Sequence, residues 1–365
     1  MASESVPVEP DSSHLPDPLI HWLQDALSND ASDLHLVPGY APTIRRNGLL
    51  KPLDFPVLSG HDVERNVAFL FPDGNAAATD LDLSVELELA NGLTRFRVNL
   101  FVADGHRGAC FRVIPDQIPT AEWAGIPDAV MDRLSGFRDG LVVVTGPTGA
   151  GKTTTLAIIV EQFNRNGGRR VITVEEPIEY RFPVHPGSVI TQREVGTDVT
   201  SFASGLRSGL RQDPDAILVG EIRDRETAQM ALSAAETGHL VLTTLHARDS
   251  KGAISRLADL FPQEVQATIR NQLTMGLRAV LCQQLLPDVI PGSRRHLALE
   301  VLWNTSPIQS AIRSGKLESI DNYLLTGRES GMISLDESVR RLNRDGFISD
   351  GTARRFVRDP EMLKR

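Results

Sequence analysis

Apolar residues along this chain follow two rhythms, and the change comes near the end of its first third. Leu81, Leu83, Val85, Leu87 and Leu89 alternate with polar residues, and Phe96, Val98, Leu100 and Val102 do so again after Asn91-Gly92. A period of two predicts a half-buried β-hairpin. Residues 34–37, 43–46 and 109–114 predict further strands, with Asn47-Gly48 as a turn. Ahead of them Leu19, Trp22, Leu23, Ala26 and Leu27 share one face at helical spacing, in a helix that Asp17 caps and Pro18 opens. Residues 61–71 predict a second helix. The first part of the chain is therefore expected to be a small α/β domain with an antiparallel sheet.

Beyond residue 127 continuous apolar runs replace the alternation. Residues 141–145, 170–175, 216–220 and 239–245 predict buried strands. Residues 152–163, 201–211 and 225–237 predict the helices between them, the last stopped by Gly238. Buried strands alternating with helices predict a mostly parallel sheet covered on both faces. From residue 250 the chain reads as helical, with one strand at 296–303. The expected organisation is a disordered lead over residues 1–16, an α/β domain over 17–114, a Pro-rich linker over 115–127 and an α/β domain with a helical tail over 128–365.

Composition narrows the partners. A chain of 365 residues accommodates two domains at ~150 residues each. A formal charge of −9 argues against a nucleic-acid coat, so no nucleic acid is expected as partner. No apolar run reaches the roughly 18–20 residues that span a bilayer, and the start lacks a basic, apolar signal. The protein is expected to be cytoplasmic, reaching a membrane only through a partner. Cys110 and Cys282 lie in apolar surroundings and read as reduced thiols.

The stretch LVVVTGPTGAGKTTT carries the chemistry. It spells G-x-x-x-x-G-K-T from Gly146 to Thr153, between a predicted strand and a predicted helix. The candidate nucleotide-binding residues are Gly146, Pro147, Thr148, Gly149, Ala150, Gly151, Lys152, Thr153 and Thr154. Glycines let successive N–H groups converge on a phosphate, and the helix points its positive end at it. Lys152 supplies a point charge to the β/γ-phosphates, and the Thr153 hydroxyl is a candidate Mg²⁺ ligand.

Three more segments place polar groups at strand ends, where ligands of parallel sheets bind. VITVEEPIEY delivers Glu175, Glu176 and Glu179. DAILVGEIRD ends an apolar strand at Gly220 and Glu221. TGHLVLTTLH sets His239 before a strand and His246 after it. Hydrolysis of Mg-ATP needs a held metal, a positioned water and a cation for developing charge. Glu221 is the candidate to orient the water. Glu175, Glu176 and Glu179 are candidates to serve Mg²⁺ through water. His239 or His246 would sense the γ-phosphate or bridge to Glu221. Two histidines with no cysteine nearby do not make a zinc site. Arg95, Arg97, Arg107 and Arg112 form a basic cluster on the strands of the first domain.

The phosphate loop, VEEPIEY, RVNLF and the long run over residues 192–246 together resemble the type II/IV secretion and type IV pilus motor ATPases. Within that family the chain is most similar to the PilT-like retraction motors. The first domain is short, and two cysteines cannot supply the four-cysteine zinc module of many assembly ATPases. The segment PIQSAIRSGKLESI resembles the retraction signature.

The resemblance implies an N-terminal PAS-like α/β domain plus a C-terminal RecA-like P-loop ATPase domain, assembled as a homohexameric ring. It makes Gly146 to Thr153 the Walker A loop, Glu175, Glu176 and Glu179 the Asp box, Asp215 to Glu221 the Walker B strand, and His239 and His246 the His box. Glu221 becomes the catalytic glutamate, with ATP and Mg²⁺ as substrate and cofactor. Arg97 and Arg112 become arginines brought to the nucleotide by rotation of the first domain. The implied function is pilus retraction and twitching motility, with an inner-membrane platform protein and the pilin machinery as partners. Two positions depart from the pattern. Glu176 stands where the Asp box has Asp, and Gln309 and Ser310 replace an Arg and an Asn of the tail signature. The alternatives are an assembly or type II secretion ATPase, a regulatory ATP-binding module without sustained turnover, and a DNA motor.

Overall fold

The computed structural model describes residues 15–70, 80–90 and 92–363. Residues 1–14 of the expected lead, residue 71 of the second predicted helix and Asn91 of the predicted turn lie outside the described residues. The chain divides into two compact units: the residues up to Asp116 with Gly292–Arg294, and Gln117–Pro291 with the residues from Arg295 onward.

The first unit contains α1 (Asp17–Ser28), β1 (Asp33–Leu36), β2 (Thr43–Arg46), β3 (Leu49–Pro52), α2 (Gly60–Val67), β4 (Asp80–Leu89), β5 (Gly92–Ala103) and β6 (His106–Ile114). Its sheet runs β3-β2-β1-β6-β5-β4, and every neighbouring pair is antiparallel. Leu19, Trp22, Leu23 and Ala26 of α1 are buried, as their spacing predicts. Pro16, not Asp17, occupies the cap of α1; Asp17 sits in the first turn, where its carboxylate meets the positive end of the helix dipole. The helix expected over 61–71 starts at Gly60 and tightens to a 3₁₀ turn at Ala68–Leu70. Its start is fixed by a capping box between Ser59 and Asp62.

The second unit opens with α3 (Ala121–Ala124) and α4 (Asp128–Gly136), then β7 (Gly140–Thr145), α5 (Lys152–Asn166), β8 (Arg170–Glu175), β9 (Val189–Glu194), α6 (Phe202–Gly209) and β10 (Ala216–Val219). There follow α7 (Arg225–Glu236), β11 (Leu240–Leu245), α8 (Ser250–Asp259), α9 (Gln266–Gly276), β12 (Leu277–Pro287) and β13 (Arg295–Trp303). The tail is helical: α10 (Ser306–Ser314), α11 (Ile320–Thr326), α12 (Leu335–Arg344) and α13 (Asp350–Phe356). The strand order is β13-β12-β7-β11-β10-β8-β9, parallel except where β13 runs against β12. The strands β7, β10 and β11 are buried along their whole lengths. Helices on both faces exclude water there, which is why these segments read as unbroken apolar runs.

Three strands depart from the sequence expectation. Residues 277–287, expected to be helical, form β12 beside β7. Its side chains are buried with little alternation, so periodicity does not separate it from a buried helix. The strands β3 and β9 lie at sheet edges; β3 is exposed throughout and β9 is partly exposed, so neither carries a one-sided apolar signal.

Trp303 closes one end of the core. It is buried, donates its indole N–H to the Gly331 carbonyl at 2.9 Å, meets Phe137 edge-on, and lies under the Arg133 guanidinium at 4.3 Å. Trp303→Ala should therefore cost about 3–5 kcal/mol of stability, read as a lowered urea midpoint for the second unit, while Trp303→Phe costs less.

Candidate functional site

The loop from Gly146 to Gly151 joins the end of β7 to the start of α5. At Gly146 the backbone has φ +148°, and a Cβ there would collide with the carbonyl of Gln283 on β12. A side chain at this turn would push the loop off the sheet. The loop ends at Gly151, which caps α5 with a left-handed φ of +83° and offers no side chain to the helix. The first N–H groups of α5 are thus left for a ligand, the arrangement that receives phosphate.

Lys152 is only 9% exposed, and its ammonium donates to the carbonyls of Gly146 at 3.0 Å and Pro147 at 3.1 Å. Burial holds its pKa below the usual lysine value, with Glu221 and Glu179 opposing the shift. Thr153 follows, half-buried. The Thr154 hydroxyl meets the phenol of Tyr180 at 3.0 Å, which ties the acidic segment after β8 to the start of α5. Gln192 reinforces that tie, donating to the Tyr180 carbonyl at 2.7 Å and to Glu175 at 3.3 Å. Neither Tyr180 nor Gln192 carries a site signal in the sequence.

Glu221 follows the end of β10. The Gly220 N–H donates to the Val174 carbonyl at 2.8 Å, and the Gly220 carbonyl accepts from Thr244 at 2.7 Å. The backbone is therefore pinned from both neighbouring strands. The Glu221 side chain, 14% exposed, has His246 Nε2 at 3.2 Å and Arg223 Nε at 2.9 Å. Arg223 also reaches Glu176 at 3.2 Å. Glu176, Arg223, Glu221 and His246 thus form one chain of polar contacts at the carboxyl ends of β8, β10 and β11. Ala247, next to His246, donates its N–H to the Thr145 hydroxyl at 2.9 Å, just before the phosphate loop.

The two histidines part company. The His239 carbonyl accepts from the Gly140 N–H at 3.0 Å, at the start of β7. Thr145 at the other end of β7 pairs with Leu245. His239 and His246 therefore lie at opposite ends of β11, roughly 20 Å apart at the usual rise. Arg97 and Arg112 belong to the first unit and form ion pairs there: Arg112 Nε with Asp33 at 2.9 Å, and Arg97 Nε near Asp82 at 3.9 Å.

The Thr153 hydroxyl and the carboxylates of Glu175, Glu176 and Glu179 are oxygen donors of the kind Mg²⁺ takes. Among the described residues no three His, Cys, Asp or Glu side chains are grouped to hold a metal ion. An ion here would keep water and phosphate oxygens as ligands, which Mg²⁺ prefers.

The model of the family described as "Type II/IV secretion system protein" matches residues 83–337. The type IV pilus retractation ATPase PilT of Pseudomonas aeruginosa is 39% identical over 334 residues, covering 91% of this chain and 95% of that protein. A twitching motility protein of Neisseria gonorrhoeae is 37% identical over 326 residues, covering 88% and 86%. The crystal structure of the pilus retraction motor PilT with bound ADP has a TM-score of 0.81 at 37% identity, covering 95% of this chain and 99% of that one.

Burial pushes the pKa of Glu175 from the usual 4.5 up to about 7, against hydrogen bonds from Thr173 at 2.6 Å and Gln192 that favour its anion. The folded state then binds more protons than the unfolded state between these values. The contribution to stability is full below about pH 4.5 and is lost as pH rises through about 7. Glu175→Gln should flatten the stability of the second unit across this window by up to about 3 kcal/mol, measured by urea unfolding at pH 5 and pH 8.

Proposed function

The chain belongs to the family of type II/IV secretion system proteins, and on that premise we propose that it is an ATPase motor that drives pilus retraction. The observation that carries this reading is the near-complete overlap with pilus retraction ATPases, which extends well beyond the phosphate loop. The strand-end geometry supports it, because a carboxylate on a pinned backbone stands in the same sheet as the loop.

The N–H groups of the loop and of the first turn of α5 take the β- and γ-phosphates. Lys152 gives up its bonds to the Gly146 and Pro147 carbonyls and turns to the phosphate oxygens. Thr153 would hold Mg²⁺ directly, and Glu175 and Glu176 would hold it through water. When bound, Mg²⁺ neutralises charge on the β/γ oxygens. Glu221 orients a water on the γ-phosphorus and takes its proton as the bond to the β–γ bridging oxygen breaks. The products are ADP and phosphate. His246 keeps Glu221 aimed.

Six copies form a ring in which hydrolysis rotates the first unit. An inner-membrane platform protein and the pilin machinery receive the motion. Among the described residues no helix is long and apolar enough to cross a membrane. The ring would accordingly be held at the cytoplasmic face of the inner membrane by its partners.

Glu221→Gln should lower kcat by about 10²-fold or more while a fluorescent ADP analogue still binds within about threefold of wild type. Full turnover in that variant would remove Glu221 from the mechanism. A deletion strain should carry excess pili and lose surface motility, restored by the wild-type gene and not by Lys152→Ala. A strain without pili would point to assembly instead.

A further inference from the structure

A phosphate loop works by turning its N–H groups inward. Its carbonyls then face outward and need partners of their own. We infer that Gln283 and Arg295, both on the β12–β13 hairpin, are positioning residues that clamp these outward carbonyls and so hold the nucleotide-binding N–H groups in register. This deepens the nucleotide-binding reading above and rests on it.

The strand β12 lies parallel to β7, with Cys282 level with Thr145. Gln283 therefore stands where β7 gives way to the loop. Its own carbonyl backs Gly146 so closely that only glycine fits there. Its side chain, 1% exposed, donates Nε2 to the Ala150 carbonyl at 2.6 Å. The amide oxygen Oε1 is buried and has no hydrogen-bond partner among the described residues. An orientation that leaves one buried atom unsatisfied persists because the reverse is worse: flipping the amide would set two oxygens face to face. The structure thus spends this side chain on Ala150. At the first residue of β13, Arg295 donates Nη1 to the Gly149 carbonyl at 3.3 Å from an exposed position.

Consecutive loop carbonyls, Gly149 and Ala150, are therefore gripped from one hairpin. The Gly146 and Pro147 carbonyls are held by Lys152, which the nucleotide would recruit. The hairpin bonds need no such exchange and can persist with ligand bound. A brace of this kind acts on nucleotide affinity, not on the chemical step.

The test uses the purified full chain, with a fluorescent ADP analogue and Mg²⁺ for binding, steady-state ATPase kinetics and melting of the nucleotide-free protein. Gln283→Met keeps the length and removes the donor. It should raise Kd and KM about tenfold, with kcat within about threefold. Arg295→Met should raise both about threefold, and Arg295→Lys should restore them, since one donor suffices. The double variant should lose less than the product of the single losses, because both bonds fix one loop. Unchanged Kd in Gln283→Met would overturn the clamp, as would a fall in kcat at constant KM. If Gln283→Met does not fold, the surface variant Arg295→Met decides, and an unchanged Kd there overturns the proposal. Lys152→Ala separates the two readings. Wild-type affinity in Lys152→Ala would overturn the nucleotide site itself. Lost affinity in Lys152→Ala, with unchanged affinity in both hairpin variants, would overturn the clamp alone.

Discussion

The strand β7 is buried along its length between β11 and β12, and its last residue leads into a turn that admits no Cβ. This close approach of the Gly146 backbone to the Gln283 carbonyl fixes where the loop leaves the sheet. From that point the rest of the site is set by register. Parallel neighbours end at the same level, so Glu175, Gly220 and Leu245 deliver their following residues to one rim. The polar groups at that rim cannot be supplied by one segment, because each strand brings only the one or two residues past its end. The chemistry is therefore dispersed over about 100 residues of sequence and collected by the sheet.

Within this rim, backbone and side chains are held unequally. The carbonyl and N–H of Gly220 are bonded to adjoining strands, so the Cα of Glu221 has little freedom. Its side-chain partner Arg223 is 61% exposed, and an ion pair at such a site contributes only about 0–1 kcal/mol. Glu221 can exchange Arg223 for another partner at little cost, yet cannot drift from the loop. Adjacent carboxylates divide in the same way. Glu175 ends β8 facing inward, where burial favours its neutral form, while Glu176 faces solvent and pairs with Arg223. One residue of strand alternation turns two similar acids into chemically different groups.

Much of this was legible beforehand. The phosphate loop announces itself because glycine spacing and the strand–helix context coincide, and the buried central strands read as continuous apolar runs. Glu221 was legible because a carboxylate directly after ILVG has few structural reasons to be there. The strand between the two histidines was legible, but not which of its ends carries the site; the pairing of β11 with β7 puts His246 at the rim of the phosphate loop and His239 at the far one. The strand β12 was hidden by its burial, and β3 and β9 by their exposure. Gln283 and Arg295 lay beyond reach altogether. Their partners are more than 130 residues away, and a glutamine in an apolar run reads as a polar interruption until the loop carbonyl facing it is known.

The state of Lys152 shows why such carbonyl partners matter. Its ammonium is desolvated, which raises the free energy of its charge, and it is compensated by two carbonyl dipoles and the field of Glu221. A phosphate carrying full negative charge is a stronger partner than either dipole, so transfer of the ammonium from loop to ligand is favourable. That transfer takes the ammonium from both carbonyls, leaving Pro147 only the Ala150 N–H at 3.2 Å, at the moment the loop must hold its shape. A loop braced only by its own lysine would slacken as it bound. The bonds to Gly149 and Ala150 come from outside the loop and survive the exchange, so the N–H groups keep their aim while the lysine changes partners.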